Sequence, residues 1–231
     1  MTYRIGPWFT ATFAIFFARA FLYSTFVSRG PEVMDLLHIN TVQMGVFTML
    51  YPLGGLLGVG FSSGLVHRFG SKTVTVGIYS LAAVSLVALG PAITAGNVPL
   101  ASLLLIAIGL PMAIADYVGN YEGSLADKAS SRSIFSAIHG GYGVGMLLAA
   151  AIAGVLSSSG LPLAAHFALI GVVTIVGTAL GVYIARCLPF RRIAMWEARR
   201  PSTTPDASIS THSCLSSSAF AEYVFMTWSY R

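Results

Sequence analysis

Three polar positions in this 231-residue sequence stand where polar groups are costly, and they set the chemistry to be explained. Arg19 lies near the middle of residues 5–28, a run otherwise free of Asp, Glu, Lys and Arg. Asp116 and Asn120 are four residues apart, a spacing that puts both on one face of a helix. A charge inside a membrane costs several kcal/mol unless paired or hydrated, and it usually serves function. Arg19, Asp116 and Asn120 therefore read as one polar cavity that binds a substrate or exchanges a proton. A structural ion pair, or an Asp116 already at the cytoplasmic interface, is the plainer alternative. His139 is a candidate proton relay, with a packing histidine bonded to a neighbouring helix as its alternative. His166 reads as structural, and Tyr117, Tyr121 and Tyr142 as cavity-lining or interfacial residues. Residues Gly60-Phe61-Ser62-Ser63-Gly64 match a hydrolase pattern, Gly-x-Ser-x-Gly. That motif works on a sharp strand-to-helix turn, whereas here it ends an apolar helix. An intramembrane hydrolase is thus a remote alternative, and the expectation is no enzyme. No nucleotide loop, metal-ligand cluster or haem motif is present, so no cofactor is expected.

The elements that must hold these residues are membrane spans. Lys and Arg number 13 and Asp and Glu 8, together 9% of the chain, against 55% hydrophobic residues and a mean hydropathy of +0.77. A soluble domain carries about 25% charge, so soluble enzymes and nucleic-acid modules fit poorly. Residues 36–67, 73–115 and 133–185 contain no Asp, Glu, Lys or Arg. At about 20 apolar residues per crossing, these runs hold one, two and two spans, and residues 5–28 hold another. The reading is an all-α, polytopic bundle of six transmembrane helices at 8–27, 43–66, 73–93, 98–121, 134–156 and 163–187. Gly30-Pro31, Gly90-Pro91, Asn97-Val98-Pro99 and Gly160-Leu161-Pro162 separate them.

The loops alternate in charge. Arg4, Arg68 with Lys72, Lys128 with Arg132, and Arg186, Arg191 and Arg192 fall on one side. The other side has Arg29, Glu32 and Asp35 in its first loop and no charge in its other two. The positive-inside rule then puts both termini in the cytoplasm, and the net charge of +5 sets orientation rather than marking nucleic-acid binding. Cys187 and Cys214 both follow the last apolar run, so the cysteines offer no disulfide framework. Five glycine pairs at i, i+4 (54/58, 60/64, 119/123, 141/145 and 177/181) permit close helix contact. Gly140 and Gly143 suggest a helix that packs tightly or slides. The organisation expected is a transmembrane unit over 1–190 and a disordered cytoplasmic tail over 191–231, rich in Ser, Thr and Pro over 199–218.

The loop between the second and third spans reads Gly64-Leu65-Val66-His67-Arg68-Phe69-Gly70-Ser71-Lys72. It resembles the signature loop of the major facilitator superfamily, Gly-x-Leu-x-Asp-Arg-x-Gly-Arg-Lys, with His67 in place of Asp and Ser71 in place of Arg. The opening Arg19, Ser28-Arg29-Gly30-Pro31, Leu36-Leu37 and Met44-Gly45, then Asp116-Tyr117-Val118-Gly119-Asn120 and His139-Gly140, is similar to a bacterial inner-membrane branch of that family. The similarity covers about residues 15–187. It implies half of a facilitator fold, made of two three-helix repeats, that moves a small-molecule substrate by alternating access, with or without a proton. It also implies that the first and fourth helices line the cavity, bringing Arg19 to Asp116. Gly64, His67, Arg68, Gly70 and Lys72 would form the conformational loop, whose interhelical lock His67 puts in doubt. The lipid bilayer is the expected surrounding, and a second copy or a separate C-terminal half the expected partner. A lone monomer is not expected to transport. A non-transporting six-helix subunit, or a relic of a longer gene, is the alternative.

Overall fold

The computed structural model describes the backbone of residues 5–130 and 133–186, with side chains over 9–178 apart from 129, 131 and 132. The cytoplasmic tail expected over 191–231, and the basic groups Arg4, Arg132, Arg191 and Arg192, lie outside the described residues. The described chain is helical, with no strand. Its elements are α1 (Ile5–Ser28), α2 (Gly30–Leu37), α3 (Thr41–Thr48), α4 (Leu50–Thr94), α5 (Val98–Ala129), α6 (Phe135–Ser158) and α7 (Leu163–Arg186).

Four stretches are long and apolar enough to cross a bilayer: Phe9–Ser28, Thr41–Thr94, Val98–Lys128 and Phe135–Ser158. Many large apolar side chains stand exposed, among them Leu56, Phe61, Leu103, Leu147 and Val155. Water would not tolerate so broad an apolar surface, but lipid does. The chain is thus a membrane-spanning helical bundle. Thr41–Thr94 runs for 54 residues, far more than one crossing uses at 1.5 Å per residue. It breaks at Gly70, where φ is 77° and ψ 151°. That region is open essentially to glycine alone. One residue therefore divides α4 into arms over 50–69 and 71–94.

Local chemistry sets the other ends. Asn40 and Gln43 exchange side-chain and backbone bonds of 2.9 and 2.8 Å, a capping box that starts α3. The Asn97 side chain accepts from the Leu100 N–H at 3.1 Å, opening α5. Asp127 accepts from the N–H groups of Ile134 and Phe135 at 2.6 and 3.0 Å, which anchors the start of α6 on the end of α5. Two boundaries differ from the sequence reading. The segment after Arg29, read as a loop, forms α2, because a proline in the first helical turn costs no hydrogen bond there. And α5 runs to Ala129 rather than 121, so Lys128 lies in its last turn, where a cation suits the helix dipole.

Packing falls into three helix pairs. The first arm of α4 lies on α5: a Cβ at Gly54, Gly58 or Gly109 would collide with the carbonyls of Ile106, Leu110 and Tyr51 respectively. On α6, Gly141 and Gly145 meet the Phe13 and Phe17 carbonyls of α1. The second arm of α4 packs on α7, with Gly90 against Ala164 and Gly171 against Val87. Gly119 and Gly123 face Phe16 and Phe135. The 54/58, 119/123 and 141/145 pairs thus sit at close contacts. Gly60, Gly64, Gly140, Gly143 and Gly177 have open space in front of them, so tight packing at 140 and 143 is not what the structure has.

Candidate functional site

Arg19 leaves the middle of α1 towards α5, where Asp116 meets it. Its Nη1 donates to Asp116 Oδ1 at 2.7 Å, across 97 residues of sequence. The guanidinium lies over the Tyr142 ring of α6, with Cζ 5.0 Å from the centroid, a cation–π contact that holds the arginine from a second side. The two partners are covered unequally. The Arg19 side chain is 23% exposed and that of Asp116 41%. Arg19 Nε is buried without a hydrogen-bond partner among the described residues.

Aromatic groups close the surroundings. Tyr51, on the first arm of α4, lies within electrostatic reach of Arg19, Asp116 and Tyr142, and its ring is 4.6 Å from that of Tyr23. The Tyr79 hydroxyl, from the second arm, donates to the Ile15 carbonyl at 2.6 Å and fixes α1 one turn before Arg19. Four helices therefore contribute to one polar site. Asn120 is half-buried, one turn along α5 from Asp116 on the same face.

His139 is exposed on α6, one turn before Tyr142. Its Nδ1 is 3.2 Å from the Phe135 carbonyl of its own helix. Its ring packs against Phe16 and Phe135, each 4.4 Å away between centroids. The hydrogen bond is thus local to α6 rather than to a neighbouring helix, and the contact with α1 is aromatic. Tyr117 and Tyr121 stack at 6.4 Å with rings 5° from parallel.

The residues of the signature-like loop form a separate group at the α4 break. His67, Arg68, Gly70 and Lys72 are exposed, and Arg68 lies over Phe69 at 5.3 Å. Gly64 is helical, with open space around it, and stands one residue nearer to Arg68 than the first glycine of the signature does. Gly70 alone makes the turn. Ser62 is buried inside α4, its hydroxyl bonded to the Gly58 carbonyl at 2.8 Å, so the strand-to-helix context of a hydrolase serine is not found there.

A second charged group, not singled out as a site from the sequence, lies at the α1–α2 junction. Arg29 is 2% exposed, with Nε 2.7 Å from Glu32 Oε2 and Nη2 donating to the Leu161 carbonyl at 2.6 Å. His166 is fully buried nearby, within electrostatic reach of Arg29. The i, i+3 spacing of Arg29 and Glu32 was the available signal. The Leu161 carbonyl, a backbone group, leaves none.

Comparison of the chain with protein-family models, with curated proteins and with solved structures finds no match.

Proposed function

We propose that this protein is a transporter of a small solute that works by alternating access, on the plan of a six-helix half of a major facilitator-type fold. In this reading α3 with the first arm of α4 and the second arm of α4 are separate spans, so the bundle has six. The first three spans then pair with the second three in a reciprocal pattern. Span one packs on span five, span two on span four, and span three on span six. Exchanging the two sets maps this list onto itself, the arrangement that two inverted three-helix repeats produce. The observation that carries the reading is the Arg19–Asp116 pair, an intramembrane charge pair with a partly open carboxylate.

The open glycines of α4 and α6 line faces that a second six-helix unit, either another copy or a separate C-terminal half, would cover. Both termini lie in the cytoplasm, and the membrane is a bacterial inner membrane. The test is uptake of a panel of labelled sugars, amino acids and small carboxylates into vesicles containing the full chain. Saturable uptake should disappear in Arg19→Leu while membrane insertion persists. Single cysteines at 32 and 160 should react from outside and one at 69 from inside. Outside labelling at 69 overturns the orientation, and uptake indifferent to Leu at both 19 and 116 overturns the site.

A further inference from the structure

Building on the transporter reading, we infer that the site takes a small monocarboxylate together with one proton, the carboxylate replacing Asp116 on Arg19. The structure already holds a carboxylate there. Arg19 binds it through a single N–H···O contact, although a guanidinium offers five N–H donors in a planar fork suited to two carboxylate oxygens. Arg19 Nε, buried and unsatisfied, leaves donor capacity unused. The arginine is the fixed member, gripped by the Tyr142 ring and more covered than its partner. Asp116 is the member open to replacement, with 41% of its side chain exposed.

Charge decides between ligand classes. Arg19 is the sole Lys or Arg inside residues 5–28, and the three charge-free runs contain none. A neutral solute brings no counter-charge to the guanidinium, the more covered member of the pair, and so cannot take the place of the aspartate on it. A dianion would bring one charge too many. A monocarboxylate exchanges like for like. Its oxygens accept from Arg19 in place of Asp116 Oδ1, and the released Asp116 takes a proton from water. Arg19 keeps its own protons. The site then contains one more anion and one more proton, with net charge unchanged. Beside Asp116, α5 itself carries Tyr117, Tyr121 and Glu122, and the helices around the pair contribute Tyr23 of α1, Tyr51 and Tyr79 of α4, and His139 and Tyr142 of α6. Within residues 163–178, α7 carries only His166, beside Arg29. The imidazole of His139 is suited to proton exchange near neutral pH, and it serves as the control.

The experiment is ligand binding to the purified full chain in mild detergent, read by thermal shift and by proton uptake in weakly buffered solution. Lactate and benzoate are the probes, with lactamide and benzamide as neutral isosteres. The acids should raise the melting temperature and take up about one proton per molecule bound, and the amides should do neither. Affinity should fall as pH rises, since each acid bound takes up one proton. In Asp116→Asn the acids should bind without proton uptake and without that pH dependence. Arg19→Gln should lose binding, and Arg19→Lys should retain part of it. Acid binding without proton uptake in the natural chain, uptake that survives Asp116→Asn but vanishes in His139→Gln, or no acid binding at all overturns the inference. Vesicle uptake of neutral solutes that needs Arg19, with no acid binding, sinks the carboxylate assignment and leaves the transporter reading standing. Proton-linked acid binding without any vesicle uptake does the reverse.

Discussion

Two arginine–carboxylate pairs in this bundle have the same contact distance, 2.7 Å, and opposite designs. Arg29 and Glu32 are three residues apart, and Arg29 is also bonded to the Leu161 carbonyl across 132 residues. Its side chain is almost wholly covered. Separating it from its partners would leave a buried cation without a counter-charge, a cost of several kcal/mol. Arg19 and Asp116 join two helices through one contact, with the carboxylate partly open. Opening that pair costs less, because solvent reaches the half-open Asp116 carboxylate. Distance alone does not separate the two pairs; coverage does, and on the proposed reading the less covered pair is the working one.

Substitutions should separate the two. The largest effect on stability is expected for Arg29→Ala, a loss of about 1–3 kcal/mol from leaving the Leu161 carbonyl and Glu32 without their partner, visible as a lower melting temperature or poorer accumulation in the membrane. A mild effect would remove the contrast. Arg19→Leu should cost about 1 kcal/mol or less, since Asp116 can be hydrated or protonated on the open face, yet it should abolish uptake. A loss as large as that of Arg29→Ala would make Arg19 a structural residue. The smallest change in activity belongs to Tyr142→Leu, which removes the cation–π contact at a cost of about 0.5–2 kcal/mol. Its sharper signature is a weakened Arg19-dependent activity, restored by Tyr142→Phe.

The sequence made one pair visible and hid the other for physical reasons. Arg19 and Asp116 stand out because each interrupts or bounds a long apolar run, and lipid makes such interruptions expensive. Arg29 precedes Gly30-Pro31 at the end of a run, the pattern of a solvated loop, and its cross-bundle partner is a backbone carbonyl. The glycines illustrate the same limit. Gly54/Gly58 and Gly60/Gly64 have identical spacing, but only the first pair meets a neighbouring backbone. Spacing says which residues share a helix face. It does not say which face has a neighbour, and Gly60 lies six positions beyond Gly54, well round the helix. The break at Gly70 was legible, since the loop region combined glycine with flanking cations. That one residue would make it was not.

That one-residue break has a mechanical consequence. A connection of several residues stretches and slackens, so the helices it joins can slip lengthwise past each other. Gly70 has no such slack, with helix on both sides of it. The two arms of α4 can swing about that point as about a pin, but neither can be drawn along the other. Any lengthwise sliding in this bundle must therefore occur at another pair of helices than the two arms of α4.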